Sequence, residues 1–463
     1  MIVRLHRCAD YLLSPMACAI WIFYIFLAVS VAYLNRFHLP VLNPEGKGWV
    51  SALVLISIAI FVIPLLASIS RASFLIKCNL VDIVTTLVFL LIVARVVANA
   101  YVAFWTPLFA WDAMEFWGRW ANRLLDANIV GAYFDRAHPR HPVTNVGMMA
   151  VSSASMSIFG VKSAGGAPMW FAAFSVLQVF MYRYTVALGG NRLQAVVVAY
   201  LAGSVYIVES HGLIGGYADF WVTLSSATAC CLFTLGFKLA SRSYLSVGFV
   251  FALMPLALKN IGMLYSVPLI LSALATYFLW RCKIIATARN MLVALIITLL
   301  AFLTPVLLEA LGFRGSDGII DMFGYQYPLD YYPPMKILRN LFWQYAVNSS
   351  YSVVISVFLT ALIAFSLTVL QRYKQPYDKG VFCADLPLFF AIILCVASVV
   401  PFYYVQFVAA HAERFATPVS DLGSTRFQMH IAMYLLISFP VLLNWLSLRS
   451  DATNVLPAHQ AEK

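Results

Sequence analysis

Residues 82 to 103 read DIVTTLVFLLIVARVVANAYVA, and this stretch decides the fold class of the chain. About 20 residues of α-helix cross the hydrocarbon core of a bilayer, so an apolar run of this length predicts a transmembrane helix. Arg95 is the main charged residue inside it. The sequence as a whole predicts an all-α, polytopic membrane protein of about twelve transmembrane helices, forming a single transmembrane domain over residues 1–463. The other predicted spans are residues 16–34, 50–68, 168–188, 193–213, 217–240, 244–258, 262–280, 290–311, 352–370, 385–405 and 430–447.

The composition of the chain supports this class. It is 62% hydrophobic and 11% charged, and its mean hydropathy is +0.86. A soluble domain is only about 45–50% apolar and carries about 25% charged residues. A net charge of +11 would suggest nucleic acid in a soluble protein, but here the basic residues lie in short breaks between apolar runs. We therefore expect the lipid bilayer, and not nucleic acid, as the partner of these charges.

The side on which each loop lies depends on residues 146–160, which are apolar but short and interrupted by serines. If they form an outer interfacial or re-entrant segment and do not span, lysines and arginines collect in one set of breaks, which the positive-inside rule makes cytoplasmic. We therefore predict cytoplasmic N- and C-termini in a bacterial inner membrane, with the candidate site on the periplasmic side. The basic residues of these breaks are Arg4, Arg7, Arg71, Lys77, Arg183, Arg192, Lys238, Arg242, Arg281, Lys283, Arg289, Arg372, Lys374, Lys379 and Arg449.

The first long outer loop, residues 104–167, contains an amphipathic segment from Trp111 to Asp126. Its polar residues recur at steps of three and four, which predicts an interfacial helix lying flat on the bilayer with its acids towards water. Asp112 and Glu115 are thus two carboxylates beside a membrane surface, a pair suited to proton transfer. The plainer interpretation is a surface helix in which Glu115 pairs with Arg119, and it leaves Asp112 unexplained.

His138 and His141 follow in the same loop, within the segment His-Pro-Arg-His-Pro. Histidines are metal ligands, but two of them in a proline-rich loop fit a structural role equally. The sequence therefore leaves a divalent metal open as a cofactor and requires none. The eight cysteines lie in predicted cytoplasmic breaks or within spans, so we expect no outer disulfide framework and no CxxC metal motif.

Two further outer loops, residues 312–351 and 406–429, are long enough to contribute to the same candidate active site. Tyr325 begins an aromatic run whose rings could stack on sugar faces, or could simply form an interfacial aromatic belt. Basic side chains at this depth bind a lipid phosphate through charge-assisted hydrogen bonds, and ordinary snorkelling is the alternative. The candidate cations in these loops are Lys336, Arg339, Arg414 and Arg426.

Two charged residues stand at the outer ends of predicted spans. Asp219 follows Tyr217-Ala218 at the start of one span, where an acid is costly enough to suggest a function or where it caps the helix N-terminus. Lys259 lies in a tight turn that is predicted to be outside, although lysines favour the cytoplasmic side of a membrane. A phosphate or an acid such as Asp219 would explain this lysine.

Taken in chain order, five motifs resemble the polyprenyl-phosphate-sugar-dependent glycosyltransferases of the GT-C fold. That family includes protein O-mannosyltransferases and lipid A aminoarabinose transferases. Bacterial relatives read Lys-Asn-Glu-Gly where this chain has Ile261, and the soluble luminal domain of the eukaryotic enzymes has no counterpart here. The matching segments are Trp111-Asp112-Ala113-Met114-Glu115, His138-Pro139-Arg140-His141-Pro142, Gly216-Tyr217-Ala218-Asp219, Lys259-Asn260-Ile261-Gly262 and Gly423-Ser424-Thr425-Arg426-Phe427.

The resemblance implies an inverting transfer of a sugar from a polyprenyl-phosphate donor to a glycan, lipid or protein acceptor. It makes Asp112 the expected base, with Glu115 assisting. The lipid-linked glycan polymerases or ligases, and the transporters or flippases of lipid-linked sugars, are the alternative classes. The remaining expected roles are donor phosphate binding by Lys259, Arg414, Arg426, Lys336 and Arg339, and sugar or acceptor binding by His138, His141, Asp219 and Tyr325.

Overall fold

The computed structural model describes a set of helices and one pair of short strands. The described residues are 14–19, 80–105, 167–205, 208–209, 217–259, 262–282, 319–322, 325–328, 386–387, 389–390, 393–394, 397, 433–434 and 436–441. In chain order the elements are α1 (Leu80–Trp105), α2 (Ala167–Ala187), α3 (Arg192–Ser204), α4 (Ala218–Lys238), α5 (Arg242–Leu258), α6 (Met263–Arg281), β1 (Ile319–Met322) and β2 (Tyr325–Pro328). The helical class predicted from the apolar runs is confirmed for this part of the chain.

Two of the described helices, α1 over Leu80–Ala103 and α4, are long and apolar enough to cross a membrane. They differ in how they are buried. Side chains of α1 such as Leu87 and Val97 are exposed at 56% and 63%, whereas those of α4 are buried along almost the whole helix. An exposed apolar helix surface is costly in water, so the surface of α1 fits contact with lipid.

Helix α4 carries hydroxyl groups in a buried, apolar setting. The hydroxyls of Thr223 and Thr228 donate hydrogen bonds of 2.7 and 2.8 Å to the carbonyls of Asp219 and Leu224, one turn earlier. These bonds keep the polar groups satisfied inside the protein, because a threonine hydroxyl can reach the carbonyl four residues before it.

The chain forms two compact units. The first contains residues Met1–Ala187, Asn191–Leu232 and Ser246–Ser266, and in it α1, α2 and α3 pack against one another. The second contains Leu188–Gly190, Phe233–Leu245 and Val267–Lys463. In this second unit the Lys238 ammonium donates to the carbonyl of Leu188, and Phe390 packs against Phe237 at a ring-centroid distance of 5.4 Å.

Helix α3 is shorter than the predicted span of residues 193–213. It begins with a capping box, in which Asn191 and Gln194 exchange side-chain to backbone hydrogen bonds of 2.9 Å. It ends at Ser204, and Val205 is extended. At this end of α3, Arg95 of α1 donates hydrogen bonds to the Tyr200 carbonyl and the Ser204 hydroxyl. A cation at this position stabilises the C-terminus of a helix.

The strands β1 and β2 pair antiparallel, with Met322 opposite Tyr325 and Ile319 opposite Pro328. They lie within the predicted outer loop 312–351, where the sequence predicts a loop with an aromatic run and no strand. The strand sequences Ile-Ile-Asp-Met and Tyr-Gln-Tyr-Pro contain the β-branched and aromatic residues that favour strands. Among the described residues these two four-residue strands form the only sheet, and the helical fold class stands.

Candidate functional site

Asp219 and Lys259 come together at one end of the first unit. Asp219 lies in the first turn of α4, where an acid interacts favourably with the helix N-terminus, and Lys259 directly follows α5. The Lys259 ammonium nitrogen lies 2.5 Å from Oδ1 of Asp219. Of the two explanations predicted for this lysine, a phosphate or an acid such as Asp219, the structure shows the acid.

The turn that holds Lys259 depends on a close backbone contact. The Lys259 amide donates to the Pro255 carbonyl at 3.1 Å, and the Gly262 amide donates to the Lys259 carbonyl at 2.7 Å. A side chain at Gly262 would collide with the Pro255 carbonyl, a backbone atom that cannot move aside. Glycine is therefore needed in the Lys-Asn-Ile-Gly segment so that the turn can place Lys259 beside Asp219.

Contacts between two tryptophans hold the start of α4 in place. The indole N–H of Trp170 donates to the Tyr217 carbonyl at 3.3 Å, and the Trp170 and Trp221 rings meet edge to face at 5.6 Å. Such ring pairs contribute about 0.5–1.5 kcal/mol beyond their buried area. The Gly-Tyr-Ala-Asp segment is thus held by α2 as well as by the Lys259 turn.

The two members of the ion pair differ in how deeply their side chains are buried. The Asp219 side chain is 1% exposed and the Lys259 side chain is 21% exposed. A buried carboxylate is stabilised only if it is paired, so Asp219 requires a cation at this place. The lysine ammonium has three N–H donors, and its exposed side leaves donors for an anion arriving from outside.

A second charged cluster lies between α1, α3 and the residues that follow α3. Arg95 Nη1 is 2.6 Å from the Ser204 hydroxyl and 3.4 Å from the Tyr200 carbonyl, and Nη2 is 3.2 Å from Oε1 of Glu209. The guanidinium carbon also lies 4.8 Å from the centroid of the Tyr200 ring, a cation–π distance. Arg95 stood out in the sequence as a charge in an apolar run, but nothing local indicated Glu209 as its partner.

Most of the remaining predicted site residues lie outside the described part of the chain. Tyr325 is the first residue of β2, and the described part gives only its backbone position. Within the described residues there is no group of three or more His, Cys, Asp or Glu side chains that could hold a metal ion. The residues outside are Asp112, Glu115, His138, His141, Lys336, Arg339, Arg414 and Arg426.

Comparison with known proteins finds no relative of this chain. No protein family, no curated protein and no solved structure matches the chain. The likeness to polyprenyl-phosphate-dependent glycosyltransferases therefore rests on the five motifs and their order alone.

Proposed function

We propose that this chain is an inverting glycosyltransferase that moves a sugar from a polyprenyl-phosphate donor to an acceptor hydroxyl at the periplasmic face of a bacterial inner membrane. The contact between Asp219 and Lys259 is the observation that supports it most directly. These residues belong to two of the five motifs and are 40 positions apart in the chain. Two motifs that serve one site in the family are thus in contact here.

In this proposal Lys259 binds the donor phosphate and Asp219 orients the lysine. The half-open ammonium is available to an anion, whereas the Asp219 carboxylate is buried beneath it. In this arrangement Asp219 builds the phosphate site, in place of the expected contact with sugar or acceptor hydroxyls. A phosphate oxygen would complete the hydrogen bonds of the ammonium without removing it from Asp219.

The proposed reaction is a single displacement at the anomeric carbon. The acceptor hydroxyl gives its proton to Asp112, its oxygen forms the new glycosidic bond, and the bond from the anomeric carbon to the phosphate oxygen breaks. The phosphate leaves with the bonding electrons and is stabilised by Lys259, with Arg414 and Arg426 as further candidates. One displacement without a covalent intermediate inverts the anomeric carbon.

The remaining residues of the proposal act by position. Glu115 would orient Asp112 or the acceptor, and His138, His141 and Tyr325 would contact sugar or acceptor hydroxyls. Lys336 and Arg339 are additional cations for the phosphate. A general base contributes about 10²- to 10⁴-fold to the rate, and cations at the leaving group supply the electrostatic part.

The direct test is to incubate the purified protein with a cell-envelope extract that supplies glycan, lipid and protein acceptors, to add a panel of polyprenyl-phosphate and polyprenyl-diphosphate sugars, and to follow donor consumption. We expect consumption of a monophosphate-linked monosaccharide with release of polyprenyl phosphate. Asp112→Asn keeps the shape of the side chain but accepts no proton, so transfer should fall about 10²-fold or more. Glu115→Gln is the matched control, with a smaller loss.

Three results would contradict this function. Consumption of diphosphate-linked oligosaccharides alone would assign the chain to the polymerases or ligases. Unchanged turnover by Asp112→Asn would remove the proposed base. A folded protein that consumes no donor of the panel would contradict the transfer reaction itself.

The Arg95–Glu209 pair favours a second candidate, a transporter or flippase of lipid-linked sugars, because paired charges at membrane depth often mark transport paths. Reconstitution in vesicles distinguishes the two. A flippase moves a labelled lipid-linked sugar between leaflets without changing it, whereas the glycosyltransferase consumes it without needing a second leaflet.

A further inference from the structure

We propose that Arg95 and Glu209 form a binding site for the headgroup of a zwitterionic phospholipid that carries a primary ammonium. The guanidinium would bind the lipid phosphate, and the Glu209 carboxylate would accept hydrogen bonds from the ammonium. This inference rests on the membrane location of the chain and is independent of the proposed sugar transfer.

The first step concerns the open side of Arg95. A guanidinium has five N–H donors. Nη1 is occupied by the Tyr200 carbonyl and the Ser204 hydroxyl, and Nη2 meets a single oxygen of Glu209. Within the described residues nothing accepts a hydrogen bond from Nε, so one edge of the guanidinium can receive a phosphate oxygen.

The second step concerns Glu209. Only its Oε1 contacts Arg95, and Oε2 has no hydrogen-bond partner in the described part of the chain. Its side chain is 39% exposed and that of Arg95 is 18% exposed. The pair therefore offers a donor edge and an acceptor oxygen next to each other on an accessible surface.

The third step is the position of the pair beside lipid. Leu91, one helical turn before Arg95, is 53% exposed, and Val97 is 63% exposed. Arg95 lies 15 residues after Leu80, which is about 22 Å along α1 at a rise of 1.5 Å per residue. With Leu80 at one boundary of a hydrocarbon core about 30 Å thick, Arg95 lies about 8 Å from the opposite headgroup layer, where a lipid headgroup can reach the pair.

Charge decides which headgroup fits. The arginine and the glutamate sum to zero charge, so a net anionic headgroup would be repelled by Glu209 as much as it is attracted by Arg95. A choline headgroup has the right charges but no N–H to donate to Oε2. An ethanolamine headgroup provides both a phosphate acceptor and N–H donors, which matches the two open atoms of the site.

The test uses a series of lipids with identical acyl chains whose headgroup is ethanolamine, N-methylethanolamine, N,N-dimethylethanolamine or choline. The full-length protein is placed in mixed micelles with each lipid, and bound lipid is measured by native mass spectrometry. Net charge stays constant along the series while N–H donors are removed one by one. We expect retention to fall at each step, by about tenfold from ethanolamine to choline, as for loss of a hydrogen bond to a charged group.

Two variants with the same change of charge provide the control. Glu209→Gln should abolish the preference for ethanolamine over choline, whereas Asp82→Asn, near the other end of α1, should keep it. Equal retention of all four lipids by the wild-type protein would overturn the proposal, and this arm needs no variant to fold. An unchanged ethanolamine preference in folded Glu209→Gln would overturn it as well.

Discussion

At the scale of single residues, the exposure of the two partners explains why Asp219 and Lys259 are not equivalent. The Asp219 carboxylate is almost fully enclosed, while the Lys259 ammonium keeps contact with the outside. Loss of the lysine therefore leaves a buried charge without this counter-charge, whereas loss of the acid leaves a lysine that can turn towards water. The energetic cost of breaking the pair should differ according to which partner is removed.

A double-mutant cycle measures this asymmetry. Lys259→Met should destabilise the protein by about 3 kcal/mol and Asp219→Asn by about 1 kcal/mol, since only the former removes the Lys259 counter-charge from a buried carboxylate. The double variant should resemble Asp219→Asn, so the two effects should not add. Unfolding in detergent followed by circular dichroism provides the measurement.

Lys77→Met is the matched control for this cycle, because it removes the same group from a predicted cytoplasmic break. It should change stability by less than about 0.5 kcal/mol. Additive losses in the cycle would show that the two charges stabilise the fold separately, in contradiction to the pairing.

The residue scale also shows what the sequence can and cannot indicate about the site. A lysine in a predicted outer turn opposes the usual charge bias, and this was enough to predict either a phosphate or an acid such as Asp219 as the partner of Lys259. Arg95 was likewise recognisable as a charge out of place, because it interrupts an apolar run. Its partners Ser204 and Glu209 could not be predicted, since both are more than 100 positions away in the chain. Only the packing of α1 against α3 identifies them.

At the scale of helices and turns, the thickness of the bilayer allows the positions of spans to be predicted from the sequence. Local contacts determine the residue at which a helix ends. The predicted span 217–240 closely matches α4 (Ala218–Lys238). Such a match is possible because a helix that crosses a membrane needs an apolar run of a minimum length, which is visible in the sequence. Within the predicted span 193–213, α3 ends at Ser204, where Arg95 from another helix donates hydrogen bonds to its last turn, and Val208–Glu209 are again helical. The hairpin was missed because its four-residue strands are too short to show an alternating pattern.

The turn between α5 and α6 gives a prediction at this scale. Gly262→Ala places a methyl group against the Pro255 backbone carbonyl, and we expect a loss of stability of about 1–3 kcal/mol from the forced shift. Because the shift moves Lys259, donor binding should weaken in the same variant. Thermal unfolding and donor titration are the measurements.

Gly203→Ala is the matched control in α3. An added Cβ there would lie 2.5 Å from Nε2 of Gln178, which is the end of a flexible side chain that can rotate away. Alanine also favours a helix over glycine by about 1 kcal/mol, so the net effect on stability should be small. Equal losses in the two variants, or no loss in Gly262→Ala, would refute the role assigned to the turn.

At the scale of the whole molecule, contacts within the first unit indicate the directions of its helices. Trp170 meets Trp221 near the starts of α2 and α4, and further along both helices Met181 meets Cys231 at 3.9 Å between sulfur atoms. These two helices therefore run in the same direction. The single helix α3 lies between them in sequence, as expected if consecutive spans alternate in direction.

The positive-inside rule gives an expectation for α1 as well. It predicts that the apolar residues 146–160 do not span, so that α2 is the single crossing between α1 and α3. Helices separated by an odd number of crossings run in the same direction, and we therefore expect α1 and α3 to run in the same direction.

The last prediction tests this topology in intact cells. Single cysteines are introduced at Ala137, Ser163 and Ser241 in a background without the eight native cysteines, and cells or spheroplasts are treated with a membrane-impermeant thiol reagent. We expect labelling at positions 137 and 163, because the predicted topology places residues 104–167 outside, and protection at 241 until the membrane is opened. Labelling of all three positions after permeabilisation confirms that each thiol is reactive. If residues 146–160 cross the membrane, positions 137 and 163 must lie on opposite sides. Protection at 163 together with labelling at 241 would then reverse every later loop and place the Lys259 turn on the cytoplasmic side.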